Sequence, residues 1–331
     1  MRNIVKIGPY FVGDGYPALV IAEIGINHNG DMDLCKALID LAADAGAHVV
    51  KFQKRFIPSV FSAEELNRPR DVPRDLLEKA IARNVMPDEN IRRLRESDFK
   101  DTRNGDQKYA LEFSLAEYGE IDAHCKVRGL LWTASPWDAL SVGFLSMLGV
   151  PFYKVASASL TNDFLLGCIA ATEKPVVLST GGSTMAMIRH AVGQLDRSKL
   201  VILHCTAAYP KATSSEVLGM TNLQAIHTLQ KEFPDVPIGF SSNNSGIMPV
   251  FAAVAMGASM VEVHITANRE LWGSDQASSV EPTDFANLCR WVREHHLSRG
   301  DGVKRVYPAE QEAMDKLRTN WGVWQPTDLL G

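Results

Sequence analysis

The sequence lacks most features that mark metal, nucleotide, membrane and disulfide-bonded proteins. Its five cysteines (Cys35, Cys125, Cys168, Cys205 and Cys289) are scattered, odd in number and never in a CxxC pair. That excludes a disulfide framework or a structural zinc site and leaves reduced thiols packed as small core residues. No HExxH, Walker loop or GxGxxG fingerprint occurs, which removes the readiest metalloprotease, P-loop and Rossmann assignments. No apolar run approaches the roughly 18 residues of a membrane span, and the Met1 end lacks a signal-peptide core. We therefore expect a cytoplasmic protein with no membrane partner. Positive charge is short as well: 34 Lys and Arg stand against 39 Asp and Glu, a net charge of −5. That balance argues against a nucleic-acid partner.

What is present is an ordinary globular composition, 46% hydrophobic and 22% charged, over 331 residues. The length suits one large α/β barrel of about 250 residues with additions. Eight short apolar, β-branched runs punctuate the chain: LVIAEIG (19–25), AHVVKFQ (47–53), GLLWTAS (129–135), PFYKVAS (151–157), PVVLSTG (175–181), LVILHCT (200–206), VPIGFSS (236–242) and SMVEVHI (259–265). Near-continuous hydrophobicity, as opposed to alternation, marks strands buried on both faces. Helical spacing follows most of them. In residues 32–46, Leu34, Leu38 and Leu41 share a face, Asp31 can cap the start, and Gly46 stands where a helix ends. Eight βα units predict a (β/α)8 TIM barrel, with a doubly wound open sheet as the alternative.

Two stretches depart from the repeat. Residues 3–13 alternate and turn at Gly8-Pro9, predicting a short N-terminal β-hairpin that closes the bottom of the barrel. Residues 54–110 are too long for one crossover helix and predict an excursion over the barrel mouth. The expected organisation is a hairpin over 1–17, the barrel over 18–310, and a tail over 311–331.

Barrel active sites sit at the C-terminal ends of the strands. Those ends carry Glu23, Lys51 with Gln53, Ser135, Lys154 with Ser157, Ser179, His204 with Cys205, Ser241 with Asn243, and His264. Lysine is rarely buried unpaired, so two lysines ending apolar strands demand anions. Nearby serines and the Gly181-Gly182 pair supply the donors a phosphate or carboxylate uses. The alternative is that each lysine merely pairs with a nearby carboxylate. His28 reads as structural, bonded to backbone, and His295-His296 as solvated surface.

AEIGINHNG (22–30), GAHVVKFQ (46–53), YKVAS (153–157), LSTGGST (178–184), HCTAAYP (204–210), NLQAIHTL (222–229), GFSS (239–242), EVHIT (262–266) and GSDQASSVEP (273–282) come in one order. By these motifs the chain resembles the sialic acid synthases over roughly residues 18–310. The resemblance implies a TIM barrel that condenses phosphoenolpyruvate with an open-chain N-acetylamino sugar, giving a 2-keto-3-deoxy sugar acid and phosphate. It puts the phosphoenolpyruvate on Lys51, Lys154, Ser135, Ser157, Ser179 and Ser241, with Gln53 beside them. It puts the sugar on Glu23, Tyr209 and Asp275, and makes His264 one of two histidines holding a divalent Mn2+ or Mg2+. Catalytic roles fall to His264, Lys51 and Asp275. It also implies a homodimer, which would cover Trp321 and Trp324 in the tail.

The departures fall on the aldehyde side. SSNN (241–244) replaces SDHT, so Asn243 stands at the second metal histidine and Ser242 at an aspartate. Ser159 replaces a glutamate, Ala207 an asparagine and Gln276 a histidine, and we expect no antifreeze-like C-terminal domain. Neutral Asn243 is a poor Mn2+ ligand, so the metal is expected to be weak or lost. The phosphoenolpyruvate side is nearly intact, which favours a changed acceptor. The alternatives are a catalytically silent relative that binds an anion, and a Schiff-base aldolase using Lys154 or Lys51.

Overall fold

A computed structural model describes residues 3–208 and 214–318. The predicted hairpin is present as β1 (Val5–Ile7) and β2 (Tyr10–Val12), antiparallel with Val5 opposite Val12. All eight predicted barrel strands follow: β3 (Leu19–Gly25), β4 (Val49–Lys54), β5 (Leu131–Pro136), β6 (Tyr153–Val155), β7 (Val176–Ser179), β8 (Leu200–Cys205), β9 (Ile238–Ser242) and β10 (Met260–His264). They form one parallel sheet in the order β5-β4-β3-β10-β9-β8-β7-β6. The ends of that order, β5 and β6, are consecutive in the chain, and Thr133 Oγ1 donates to Phe152 O across them at 2.7 Å. The sheet is therefore a barrel with one seam that carries no backbone ladder among the described residues.

Strand period sorts each run into two faces. Val20, Ala22 and Ile24 of β3, and Val50 and Phe52 of β4, point outward into a core shared with the helices. Leu19, Ile21, Val49, Phe152, Val177, Val201, Leu203 and Met260 point inward, and Val5, Ile7 and Val12 of the hairpin pack among them. The hairpin thus plugs the lower end. Continuing the inward set by two residues reaches Glu23, Lys51, Lys154, Ser179, Cys205 and Glu262. Below this polar layer the interior is apolar.

The helix Met32–Ala45 shows how local signals set the units. Asp31 caps it, accepting from Asp33 N at 2.9 Å and Leu34 N at 3.1 Å, and Gly46 closes it in the left-handed conformation at φ 87°. Its buried stripe is Cys35, Leu38, Ile39 and Ala42, with Leu34 and Leu41 at the margins instead of the centre.

Residues 54–110 are helical where the sequence suggested only an excursion. Ile57–Val60, Ala63–Asn67, Arg74–Ala82, Asp88–Glu96 and Asn104–Ala110 surround a private core of Val72, Leu76, Leu77, Ala80, Met86, Leu94 and Ala110. Trp272, from the loop after β10, packs against it. Gly30, in the loop after β3, seats the lid: its φ is +67°, and a Cβ there would lie 2.2 Å from Ala110 O. Gly30→Ala should therefore cost about 1–3 kcal/mol in chemical denaturation, through strain and overpacking together.

The chain divides into two compact units, Met1–His296 and Leu297–Gly331. In the second, Pro308–Leu317 is a helix whose Tyr307 N donates to Glu310 Oε2 at 2.9 Å. Trp321 and Trp324 lie outside the described residues. His295, expected as solvated surface, is half-buried with its ring edge-on to Phe251 at 6.2 Å, and His296 is half-buried beside it.

Candidate active site

The polar inward layer floors a cavity of about 470 Å³ at the C-terminal ends of the strands. Both sequence readings of the lysines hold together there. Lys51 Nζ lies 2.6 Å from Glu23 Oε2 and 3.9 Å from Glu262 Oε2, and donates to Ser135 Oγ at 3.2 Å. Lys154 Nζ lies 3.5 Å from Glu262 Oε1, which also accepts from Ser241 Oγ at 3.1 Å. All four charged side chains are buried. The strand register explains the pairs: Glu23 stands opposite Lys51 and also opposite His264, and Glu262 opposite Ser241.

Burial and charge oppose each other at every member. Burial raises the Glu23 pKa, and the attraction of Lys51 does not cancel it. Burial disfavours the Lys51 charge, but Glu23 and Glu262 outweigh it and hold the pKa above its ordinary value. Lys154, with Glu262 alone beside it, is pushed down by burial. Burial works against the Glu262 charge too, yet Lys154 and Lys51 keep its pKa below the usual range. An ammonium so held at Lys51 is no nucleophile, which speaks against a Schiff base there.

Beside the lysines is a cradle for an anion. Ser157 Oγ accepts from Gly181 N at 3.0 Å, and a Cβ on Gly181 would meet that oxygen at 2.8 Å and Ala207 Cβ at 2.9 Å. Only glycine allows this approach. Ser179 Oγ and Trp137 Nε1 line the same cavity, are buried, and have no hydrogen-bond partner among the described residues. Buried donors are nearly always satisfied, so these two mark where a ligand's acceptors belong.

The other side of the cavity holds the departures. His264 Nδ1 lies 3.9 Å from Asp275 Oδ2. Asn243 Nδ2 donates to Thr206 O at 2.9 Å and to Cys205 Sγ at 3.4 Å, so its amide is tied to the loop after β8. Gln276 is fully buried, bonded to Thr266 Oγ1 and donating to Asn27 O at 3.1 Å. It ties the loop after β10 to the loop after β3 and does not line the cavity. Ser242 Oγ accepts from Asn244 N at 3.4 Å, a local turn contact. Ser159 is buried, and Ala207 faces the cavity without a polar atom.

Of the sequence-predicted residues, Glu23, Lys51, Gln53, Ser135, Lys154, Ser157, Ser179, Ser241, Asn243 and His264 line one cavity. Asp275 adjoins it through His264, and Tyr209 lies outside the described residues. The sequence reading missed Glu262 and Trp137. Glu262 sits between two valines on an apolar strand, the signal that singled out Lys51. His28 is structural as expected: Nδ1 accepts from Gly30 N at 3.0 Å and the ring stacks on Phe113 at 4.3 Å. Burial, with Arg83 and Arg55 nearby, pushes its pKa down to about 3.

The sequence and the fold have counterparts among known proteins. Residues 38–304 match the NeuB family. The chain belongs to the NeuB family. Human N-acetylneuraminate-9-phosphate synthase is 34% identical over 310 residues, covering 93% of this chain and 78% of that one. The N,N'-diacetyllegionaminic acid synthase of Campylobacter jejuni is 32% identical over 305 residues, covering 91% and 83%. The crystal structure of N-acetylneuraminic acid (sialic acid) synthetase from Leptospira borgpetersenii, in complex with citrate, superposes with a TM-score of 0.72 at 28% identity, covering 97% and 98%. The NeuB family relation agrees with the barrel and hairpin found here.

Proposed function

We propose that this chain, as a transferase, condenses phosphoenolpyruvate with the aldehyde of an open-chain sugar, forming a carbon–carbon bond and consuming one water as phosphate is released. The observation that carries this reading is the buried Lys51–Lys154 layer beside the orphaned Ser179 hydroxyl, in one cavity. Phosphoenolpyruvate brings a carboxylate and a phosphate, and two ammonium groups with hydroxyl donors match both. Ser135, Ser157 and Ser241 hold the remaining oxygens, and Gln53 orients Glu23. Glu23, with its raised pKa, is placed to hold a proton toward the acceptor, and Asp275 orients His264 near the aldehyde. The relatives named as neuraminic and legionaminic acid synthases support the same chemistry. Phosphate release across a panel of aldoses tests it; tight phosphoenolpyruvate binding with no turnover on any aldose would establish a silent binder instead.

The family's divalent ion does not fit the residues present. One imidazole, His264, remains, and the Asn243 amide is engaged by Thr206 and Cys205. No group of three His, Cys, Asp or Glu side chains among the described residues is arranged to hold an ion. Asn243→His, which restores the second imidazole, should tighten Mn2+ binding by about tenfold or more in calorimetry; equal affinity in both proteins would refute the donor argument.

We further propose a cytoplasmic homodimer. No described helix is long and apolar enough to cross a membrane, and all five cysteines are free. Helices Ala139–Met147 and Asp163–Ala170 are neighbours and expose Leu140, Met147 and Phe164, the last at 74%. Light scattering after size exclusion should give twice the chain mass, and a monomer would exclude the dimer.

A further inference from the structure

Of His264, Lys51 and Asp275, only Asp275 stands off the barrel strands. It lies in the loop between β10 and the helix Pro282–Ser298, beside a short turn, Gln276–Ser278. A loop has no sheet ladder to fix it, so Asp275 takes its place from the side-chain ties around it.

Those ties converge on Gln276, which is fully buried. Thr266 Oγ1 donates to its Oε1, and its Nε2 donates to Asn27 O at 3.1 Å, in the loop after β3. The amide matches both neighbours, with an acceptor toward the hydroxyl and a donor toward the carbonyl. Gly273 admits this packing: its φ is +148°, and a Cβ there would lie 3.0 Å from Gln276 Cγ. Asn27 returns the tie, since its Nδ2 donates to Ile265 O and to Ser279 Oγ, both at 2.8 Å. Ser279 Oγ then donates to Asp275 O at 2.6 Å, and Ser278 Oγ donates to the same oxygen at 3.1 Å.

A ring of buried hydrogen bonds therefore runs from Gln276 through Asn27 and Ser279 to the backbone of Asp275. Breaking one member leaves a desolvated polar group unpaired, so the ring holds as a unit. On its open side the Asp275 carboxylate lies 3.9 Å from His264 Nδ1, and Ser274 Oγ donates to its Oδ1 at 2.7 Å. Asn243, just past β9, spends its Nδ2 donors on Thr206 and Cys205, so they do not serve the imidazole.

We propose that Gln276 is a positioning residue. Through Asn27 and Ser279 it sets the Asp275 carboxylate against His264, and so aligns the pair that faces the acceptor aldehyde. This rests on the condensation reading of the cavity. Gln276 does not line that cavity, so its influence falls on the His264–Asp275 pair and not on the lysines that hold phosphoenolpyruvate.

The test compares Gln276→Met with Gln276→His, with Leu38→Ala, in the outer core, as the control for lost stability. Methionine keeps the length and gives up the amide donor, whereas neutral histidine offers one donor and one acceptor. Gln276→Met should lower kcat on an aldose by up to about a hundredfold, with phosphoenolpyruvate affinity in calorimetry unchanged. Gln276→His should recover most of the loss. Ser279→Ala, which cuts the ring at its other side, should lower kcat in the same direction. In nuclear magnetic resonance of protein carrying isotope-labelled histidine, the His264 signal is assigned by its disappearance in His264→Gln. That signal should shift in Gln276→Met and Ser279→Ala and hold its parent position in Leu38→Ala. An unmoved His264 signal, a kcat loss no larger than the control's, or a parallel loss of phosphoenolpyruvate affinity would overturn the positioning role. If the parent consumes phosphoenolpyruvate with no aldose the condensation reading fails, and the His264 signal still decides whether Gln276 governs the pair.

Discussion

Lys51→Ala should lose about 3–5 kcal/mol of stability in chemical denaturation, and its turnover should vanish. The Lys51 ammonium lies 2.6 Å from the buried Glu23 carboxylate. Without it, Glu23 keeps the Gln53 amide as a donor at 3.5 Å, and a neutral amide cannot balance a buried charge. Glu23 answers by taking a proton, because burial already raises its pKa above the ordinary 4.5. The sign of the pH dependence follows. With the folded pKa above the unfolded one, the native state binds more protons between them, so stability in the variant falls as pH rises through that window. Near the unfolded pKa and below it the deficit should shrink. Lys51→Ala combined with Glu23→Gln should recover much of the stability and none of the activity, which separates folding from anion binding. A single variant as stable as the parent at neutral pH would show that the pair is not coupled in the folded protein.

Glu262→Gln should make phosphoenolpyruvate binding depend on pH more steeply than the parent's does. Glu262 is the anion 3.5 Å from Lys154, and the largest influence holding the Lys154 charge against burial. Neutralising it lets burial push the Lys154 pKa further down, so a larger share of the amine is neutral at any given pH. Because the neutral amine does not attract phosphate, the KM for phosphoenolpyruvate should climb with pH, by about tenfold more than the parent's over the same range. Acid restores the ammonium and the affinity. A flat profile in the variant would mean that Lys154 keeps its charge without Glu262.

The barrel was legible because each strand is apolar on both faces and each carries its site residue at the same end. LVIAEIG matched β3 residue for residue, and Asp31 and Gly46 marked the helix ends. The lid was not legible. Its helices are short and highly charged; Asp88–Glu96 buries Leu94 alone, so no apolar stripe announced that helix, and the stripe of Arg74–Ala82 is confined to Leu76, Leu77 and Ala80. Glu262 carried the signal of Lys51, a charge within an apolar strand, and the register then sets it with His264 on the inner face. Gln276 was legible as a departure from the family and not as a tie between loops, since Asn27 and Thr266 are far from it in sequence or hidden in a turn.

The unlaced seam between β5 and β6 has a mechanical consequence. Lys51 and Ser135 stand on one flank of it, and Lys154 and Ser179 on the other. Elsewhere neighbouring staves are fastened by backbone ladders, whereas here Thr133 supplies one stitch. An anion gripped by both lysines would bridge this gap and act as a hoop, tightening the rim at the moment the reactants must be held still. Release of that anion would remove the bridge and leave Thr133 Oγ1 to Phe152 O as the stitch across the joint.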